Sequence, residues 1–199
     1  FESGVATATK SQLASSEYRL ASLYWRNRND EKAGTLFARA FKHAEQAGQV
    51  REQANAKFGL ALCLLTQNAL VGARQTALTI LQDHRELTPR AKGNVLMLLG
   101  AIAFALGNYS SANKSFTRAK TYVSADPLAI VQSLIGRALS LQMAGNYPEA
   151  IKQYRLASDQ LIQLPELRQE RLQVELLRSE AFYQMGDLSN AQDCLERAM

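Results

Sequence analysis

Proline, cysteine and aromatic residues are all scarce in this chain. Its 199 residues include four prolines, two cysteines and 8% aromatics. The prolines all stand at the edges of apolar-periodic stretches, as long helices with short connections require. The cysteines, Cys63 and Cys194, lie far apart inside helical patterns. That excludes a disulfide-framed fold and favours buried free thiols in a reducing compartment, so a cytoplasmic location is expected. Long apolar runs are missing too. The longest apolar-leaning stretch, Gly93 to Asn113, is interrupted by Gly100, Gly107 and Asn108, and no membrane span is expected. The chain begins at Phe1, so the lack of a targeting segment decides nothing.

Charge of one sign is never concentrated. The net charge is +5, with 17 Lys/Arg against 10 Asp/Glu up to Ala150 and 6 against 8 beyond it. No run of like charge occurs, and Lys and Arg rarely flank aromatics, so no nucleic-acid contact is expected. Groups for chemistry are equally sparse. The two histidines, His43 and His84, sit near helix C-termini, where the macrodipole favours an imidazole, and no other ligand-type residues are spaced to join them. There is no phosphate loop, no G-x-S-x-G and no paired-carboxylate arrangement. No cofactor, metal or enzymatic activity is expected.

What the chain does have is a repeat. GNYSSANKSFTRA from Gly107 matches GNYPEAIKQYRLA from Gly145 and, nearly as well, GDLSNAQDCLERA from Gly186. RNDEKAGTLFARA from Arg28 places Ala33, Phe37 and Ala40 in the same columns, and a degenerate copy from Asn68 places Ala73, Ala77 and Ile80 there. Before each copy a small residue recurs at Ala21, Ala61, Gly100, Ala138 and Ser179, followed three residues later by Tyr24, Leu64, Ala103, Leu141 and Phe182. Small residues let two helices cross closely, and the aromatic columns fill the holes that remain. Thr88-Pro89 and Asp126-Pro127 read as a capping side chain before a first-turn proline, and Gly48, Gly107, Gly145 and Gly186 read as helix ends. The helices expected are 11–28, 31–47, 50–67, 70–84, 89–106, 110–123, 127–143, 148–162, 166–185 and 189–199, with no strands and a frayed lead-in over 1–10.

These columns resemble the tetratricopeptide repeat signature: small, bulky, then Ala, aromatic, Ala in a second helix. The resemblance is strongest in the third and fourth copies and weakest in the second. It implies an all-α, right-handed α-solenoid of about five TPR-like helix-turn-helix repeats, at about 11–48, 50–85, 89–124, 127–163 and 166–199, in one domain over 11–199. The small residue recurs every 38 to 41 positions, where the usual family repeat is 34. Longer repeats of this kind look like those of kinesin light chains and of bacterial peptide-sensing or maltose-activator-type regulators.

In that family the first helix of each repeat lines a concave groove. Counted from the small column, the inward positions hold Ser15, Asn55, Asn94, Gln132 and Gln173; Tyr18, Phe58, Met97, Ile135 and Leu176; Ser22, Leu62, Ala101, Leu139 and Glu180; and Trp25, Leu65, Phe104, Gln142 and Tyr183. Offsets of three and four put these columns on one helical face. Asn55, Asn94, Gln132 and Gln173 form a carboxamide ladder, and a carboxamide offers a donor and an acceptor to an extended backbone. Tyr18, Trp25, Phe58, Leu62, Met97, Phe104, Ile135, Leu139, Leu176 and Tyr183 form an apolar surface that calls either for a partner or for burial between neighbouring first helices. Inner positions hold no Lys or Arg, although Arg19, Arg26, Arg137 and Arg178 lie beside them, so a clamp for a free C-terminal carboxylate is not expected.

The function expected is therefore a scaffold that holds a peptide or helical segment of a partner protein in this groove. The alternative is a sensory or regulatory module of a larger signalling or transcription protein, responding to a peptide or small molecule. Self-association through the last helix is a third reading, because Ala191, Leu195 and Ala198 there want a further helix against them.

Overall fold

The computed structural model describes residues 2–83 and 87–198, with side chains at 9–83 and 87–197. Among these residues every regular element is helical. The helices are α1 (Glu2–Arg26), α2 (Asp30–Gln46), α3 (Val50–Thr66), α4 (Leu70–Asp83), α5 (Pro89–Ala105), α6 (Tyr109–Tyr122), α7 (Pro127–Met143), α8 (Tyr147–Ile162), α9 (Arg168–Gln184) and α10 (Leu188–Ala198). Two expectations are corrected. Helix α1 starts at Glu2, so the stretch read as a frayed lead-in is helical from there. That stretch contains no proline, and Ala6 and Ala8 supply helical propensity even without an apolar stripe. Helix α9 starts two residues late because Pro165–Leu167 form a 3-10 turn ahead of it. His84 and Arg85 lie outside the described residues.

The turns explain why so few residues connect each helix to the next. At Asn29, Gln49, Ala69, Asn108, Asn146 and Asp187 the backbone N–H donates to a carbonyl five residues back, at 2.8–2.9 Å. The residue before each has positive φ. This is the Schellman closure, in which one left-handed residue satisfies the last carbonyls of a helix. Asn29, Asn108 and Asp187 then serve twice, since their side chains accept from the N–H three residues on (Lys32, Ser111 and Asn190) and cap the following helix. Asp126 caps α7 in the same way, through the N–H of Ala129.

Gly48, Gly107, Gly145 and Gly186 hold the left-handed position as expected, and in the other two turns Arg28 and Asn68 occupy it at φ 60°. A Cβ costs on the order of 1 kcal/mol there, and less for asparagine, whose short polar side chain tolerates the conformation. Arg28→Gly is therefore expected to stabilise the protein by about 0.5–1 kcal/mol and raise the melting temperature by about 1–4 °C. Asn68→Gly should do less, and a melting curve of each variant orders the two.

Packing groups the helices into two compact units, Phe1–Thr88 and Pro89–Met199, with no linker composition between them. In the first, α1 packs on α2, α2 on α3, α3 on α4, and the first helices α1 and α3 also touch. In the second, each helix from α5 to α9 packs on its successor, and α5 also touches α7. The small and aromatic columns do what their sizes require. Ala21, Ala61 and Ala138 are fully buried, as are Ala33, Ala73, Ala112 and Ala150 at the close approaches of the second helices. The large rings use glycine slots: Phe37 lies on Gly59, and Phe116 lies between Gly100 and Gly136. Tyr154 fills the matching place in α8 and centres a core with Val131, Leu134, Leu161 and Val174. Leu195, in that column of α10, is 43% exposed. Among the described residues no helix is long and apolar enough to cross a membrane.

Candidate functional site

The inner columns meet different surroundings in the two units. In the first unit the large apolar members are not free. The Tyr18 ring meets Phe37 at 5.5 Å between centroids, and Tyr18 and Trp25 pack against the cluster of Ala21, Ala33, Phe37 and Cys63. Phe58 and Leu62 are half-buried, and Asn55 is exposed. In the second unit Ile135 and Leu139 pack against the Tyr154 core, and Phe104 stands edge-on to Tyr109 at 5.4 Å. Met97 and Asn94 are half-buried. Only on α9 are large apolar members of the columns clearly open, Leu176 at 50% and Tyr183 at 67%. The broad apolar face expected from the sequence is thus mostly consumed by intramolecular packing. The reason is geometric: these columns turn partly toward the second helices, where Tyr18 meets Phe37 of α2, Phe104 meets Tyr109 of α6, and Ile135 and Leu139 pack against the cluster around Tyr154 of α8.

The polar members behave differently. Asn55, Gln132 and Gln173 are exposed and Asn94 is half-buried. Among the described residues none of the four carboxamides has a hydrogen-bond partner within the chain. In the second unit α5, α7 and α9 each carry one of them, Asn94, Gln132 and Gln173. Gln142, from a neighbouring inner column, is instead spent on the core. Its Oε1 accepts from Tyr154 Oη at 2.8 Å, its Nε2 donates to Gln184 at 3.0 Å, and Gln184 donates to Glu180 at 3.2 Å. Burial, and after it the charge of Glu180, pushes the Tyr154 hydroxyl pKa well up, so this hydroxyl stays a donor.

Other groups that sequence spacing could not connect are brought together. Glu17 of α1 is buried, and its carboxylate meets Arg39 at 2.7 Å and His43 Nδ1 at 2.7 Å, both from α2. His43 therefore has a specific carboxylate partner besides its place near a helix end. The buried charge would otherwise be strongly unfavourable. Cys63 and Cys194 are buried free thiols, and burial raises both pKa values. Among the described residues no three His, Cys, Asp or Glu side chains are grouped to hold a metal ion.

Comparison with known proteins agrees with this architecture. Residues 18–90 match the Tetratricopeptide repeat family. The match includes the degenerate second copy and not the copies at Gly107 and Gly145 that resemble the signature best. No curated protein matches the sequence. Among solved structures, a Podosopora anserina putative kinesin light chain with nearly identical TPR-like repeats is 17% identical, covering 95% of this chain and 93% of its own, with a TM-score of 0.77. BtubC (BKLC) from P. vanneervenii is 14% identical over 100% of this chain and 90% of its own, with a TM-score of 0.81. YrrB, a TPR protein with an unusual peptide-binding site, is 16% identical over 92% of this chain and 82% of its own, at a TM-score of 0.61. At such identities the likeness is one of fold. Residues 18–90 thus match the tetratricopeptide repeat family, and the helix-turn-helix unit recurring from α1 to α10 gives the chain the fold of these solved repeat structures.

Proposed function

We propose that the chain is a protein-interaction scaffold that holds an extended peptide segment along its first helices. The observation that carries this is the set of carboxamides with no partner of their own, Asn94, Gln132 and Gln173 on α5, α7 and α9. A carboxamide can donate to a peptide carbonyl and accept from a peptide N–H at once, so each rung satisfies a stretch of extended backbone whatever its sequence. Leu176 and Tyr183 beside Gln173 supply exposed apolar surface for a bulky side chain of the ligand. The first unit offers Asn55 next to half-buried Tyr18, Trp25, Phe58 and Leu62, a smaller surface of the same kind. YrrB, which has a peptide-binding site on a similar fold, supports the same reading.

Peptides selected from a display library on the full chain supply the test. Gln132→Ala with Gln173→Ala is expected to weaken them about tenfold or more, since each lost backbone pair contributes on the order of 1 kcal/mol. Both residues are exposed and unpaired, so the melting temperature should stay within about a degree. Undiminished affinity in the double variant would sink the ladder. Alanine at Leu176 and Tyr183 should change which side chains are selected more than whether a peptide binds.

A further inference from the structure

In the second unit a cleft of about 310 Å³ opens between α8, α9 and α10, away from the inner columns. Four arginines line it: Arg155 from α8, Arg171 and Arg178 from α9, and Arg197 from α10. Two carboxylates share the cleft, Asp159 and Glu175. Glu175 is buried and already occupied, since its Oε1 accepts from Ser158 Oγ at 2.6 Å and its Oε2 meets Arg178 at 3.4 Å. Arg178 is held in place by the Phe182 ring, 5.6 Å from its guanidinium, and its Nε is buried with no acceptor. Among the described residues Arg155, Arg171 and Arg197 take part in no ion pair.

Four guanidinium groups against two carboxylates leave a formal charge of +2 around one small volume. Like charges converging on a concave site raise its potential and draw in counter-charge. Guanidinium forks also match tetrahedral oxyanions, to which they donate paired hydrogen bonds. We propose that this cleft is a binding site for a phosphoryl group, whose charge of about −1.5 to −2 at neutral pH balances the excess. The volume exceeds what a bare phosphate fills, leaving room for whatever bears it, either a small phosphorylated metabolite or a phosphorylated side chain. This site stands independently of the peptide ladder, because Arg171, Glu175 and Arg178 belong to none of the four inner columns.

The experiment is calorimetric titration of the full chain with inorganic phosphate and with phosphoserine at constant ionic strength, with acetate as the control anion. Saturable one-site binding is expected, with a ligand-dependent rise in melting temperature. Arg155→Gln with Arg171→Gln should weaken it by about tenfold or more while leaving the ligand-free melting curve in place. Arg197→Gln alone, on a different helix, should weaken it as well. Tighter binding of phosphoserine would assign the site to phosphorylated side chains, and tighter binding of phosphate to a free or small-molecule source; either result supports the proposal. Absence of saturable binding by both probes, an equal response to acetate, or binding unchanged in the variants would overturn it.

Discussion

Phe116→Ala is expected to destabilise the protein by about 3 kcal/mol, and a second change at Gly136 should then reverse its usual sign. The Phe116 ring is buried between α5 and α7, where a Cβ on Gly136 would come within 2.6 Å of it and one on Gly100 within 2.9 Å. Removing the ring forfeits its transfer energy and leaves a cavity, at a typical cost of about 3–5 kcal/mol. Adding a methyl group at Gly136 with the ring present forces a shift in a close-packed core, costing about 1–3 kcal/mol. Against that, alanine is better than glycine inside a helix by about 1 kcal/mol. Gly136→Ala alone should therefore destabilise by up to about 2 kcal/mol. In the Phe116→Ala background the obstruction is gone, and the same substitution should stabilise by up to about 1 kcal/mol. Denaturant unfolding of the four proteins in the cycle gives the coupling, expected to be on the order of 2 kcal/mol. Additivity would show that the ring does not depend on the glycine slot.

Alkaline pH should destabilise the chain through a thiol. Cys63 is 1% exposed in the cluster formed by Ala21, Ala33 and Phe37. Burial, and after it the charge of Asp30, pushes its pKa from the ordinary 9.0 to about 11. The folded state thus favours the neutral thiol. Its contribution is fully present below pH 9 and is lost as pH rises from about 9 to about 11, when the unfolded chain ionises and the folded chain resists. A shift of about two units corresponds to a loss of about 2–3 kcal/mol across that window. Cys194 and Tyr154, also raised by burial, act in the same direction. Unfolding free energy measured at pH 7.5 and near pH 10.5 should fall less steeply for Cys63→Ala than for the parent. Equal slopes would show that the thiol is not held neutral. The same shift predicts that Cys63 is inert to thiol reagents in the native protein at neutral pH.

The Phe116 effect sits on a column visible in the amino-acid order, although its glycine partner does not, and Cys63 lies on none of the columns. The alternation of Ala33, Phe37 and Ala40, or of Ala112, Phe116 and Ala119, marks a second helix and a large residue between two close approaches. That Phe116 requires Gly136, twenty residues on and in another helix, depends on how α6 meets α7. Likewise the inner columns are placed on one face by offsets of three and four. Their exposure depends on which second-helix side chains meet them, which left Leu176 and Tyr183 open and took Tyr18 and Ile135 into packing.

What was legible is what is local. Helix ends follow from Asp126-Pro127, from Asn108 after Gly107 and from Asp187 after Gly186, because capping and left-handed turns are settled within five residues of chain. The repeat follows as well, since each helix pair writes its small and large positions at constant offsets. Arg28 and Asn68 are different, because neither residue announces a left-handed turn; tertiary packing of α1 on α2 and of α3 on α4 holds them there. Long-range pairings lie beyond any local pattern: Glu17 with His43, Tyr154 with Gln142, and four arginines from three helices around one cleft. Charge and burial depend on distance in space, and a repeating sequence fixes which face a side chain occupies before it says what stands opposite.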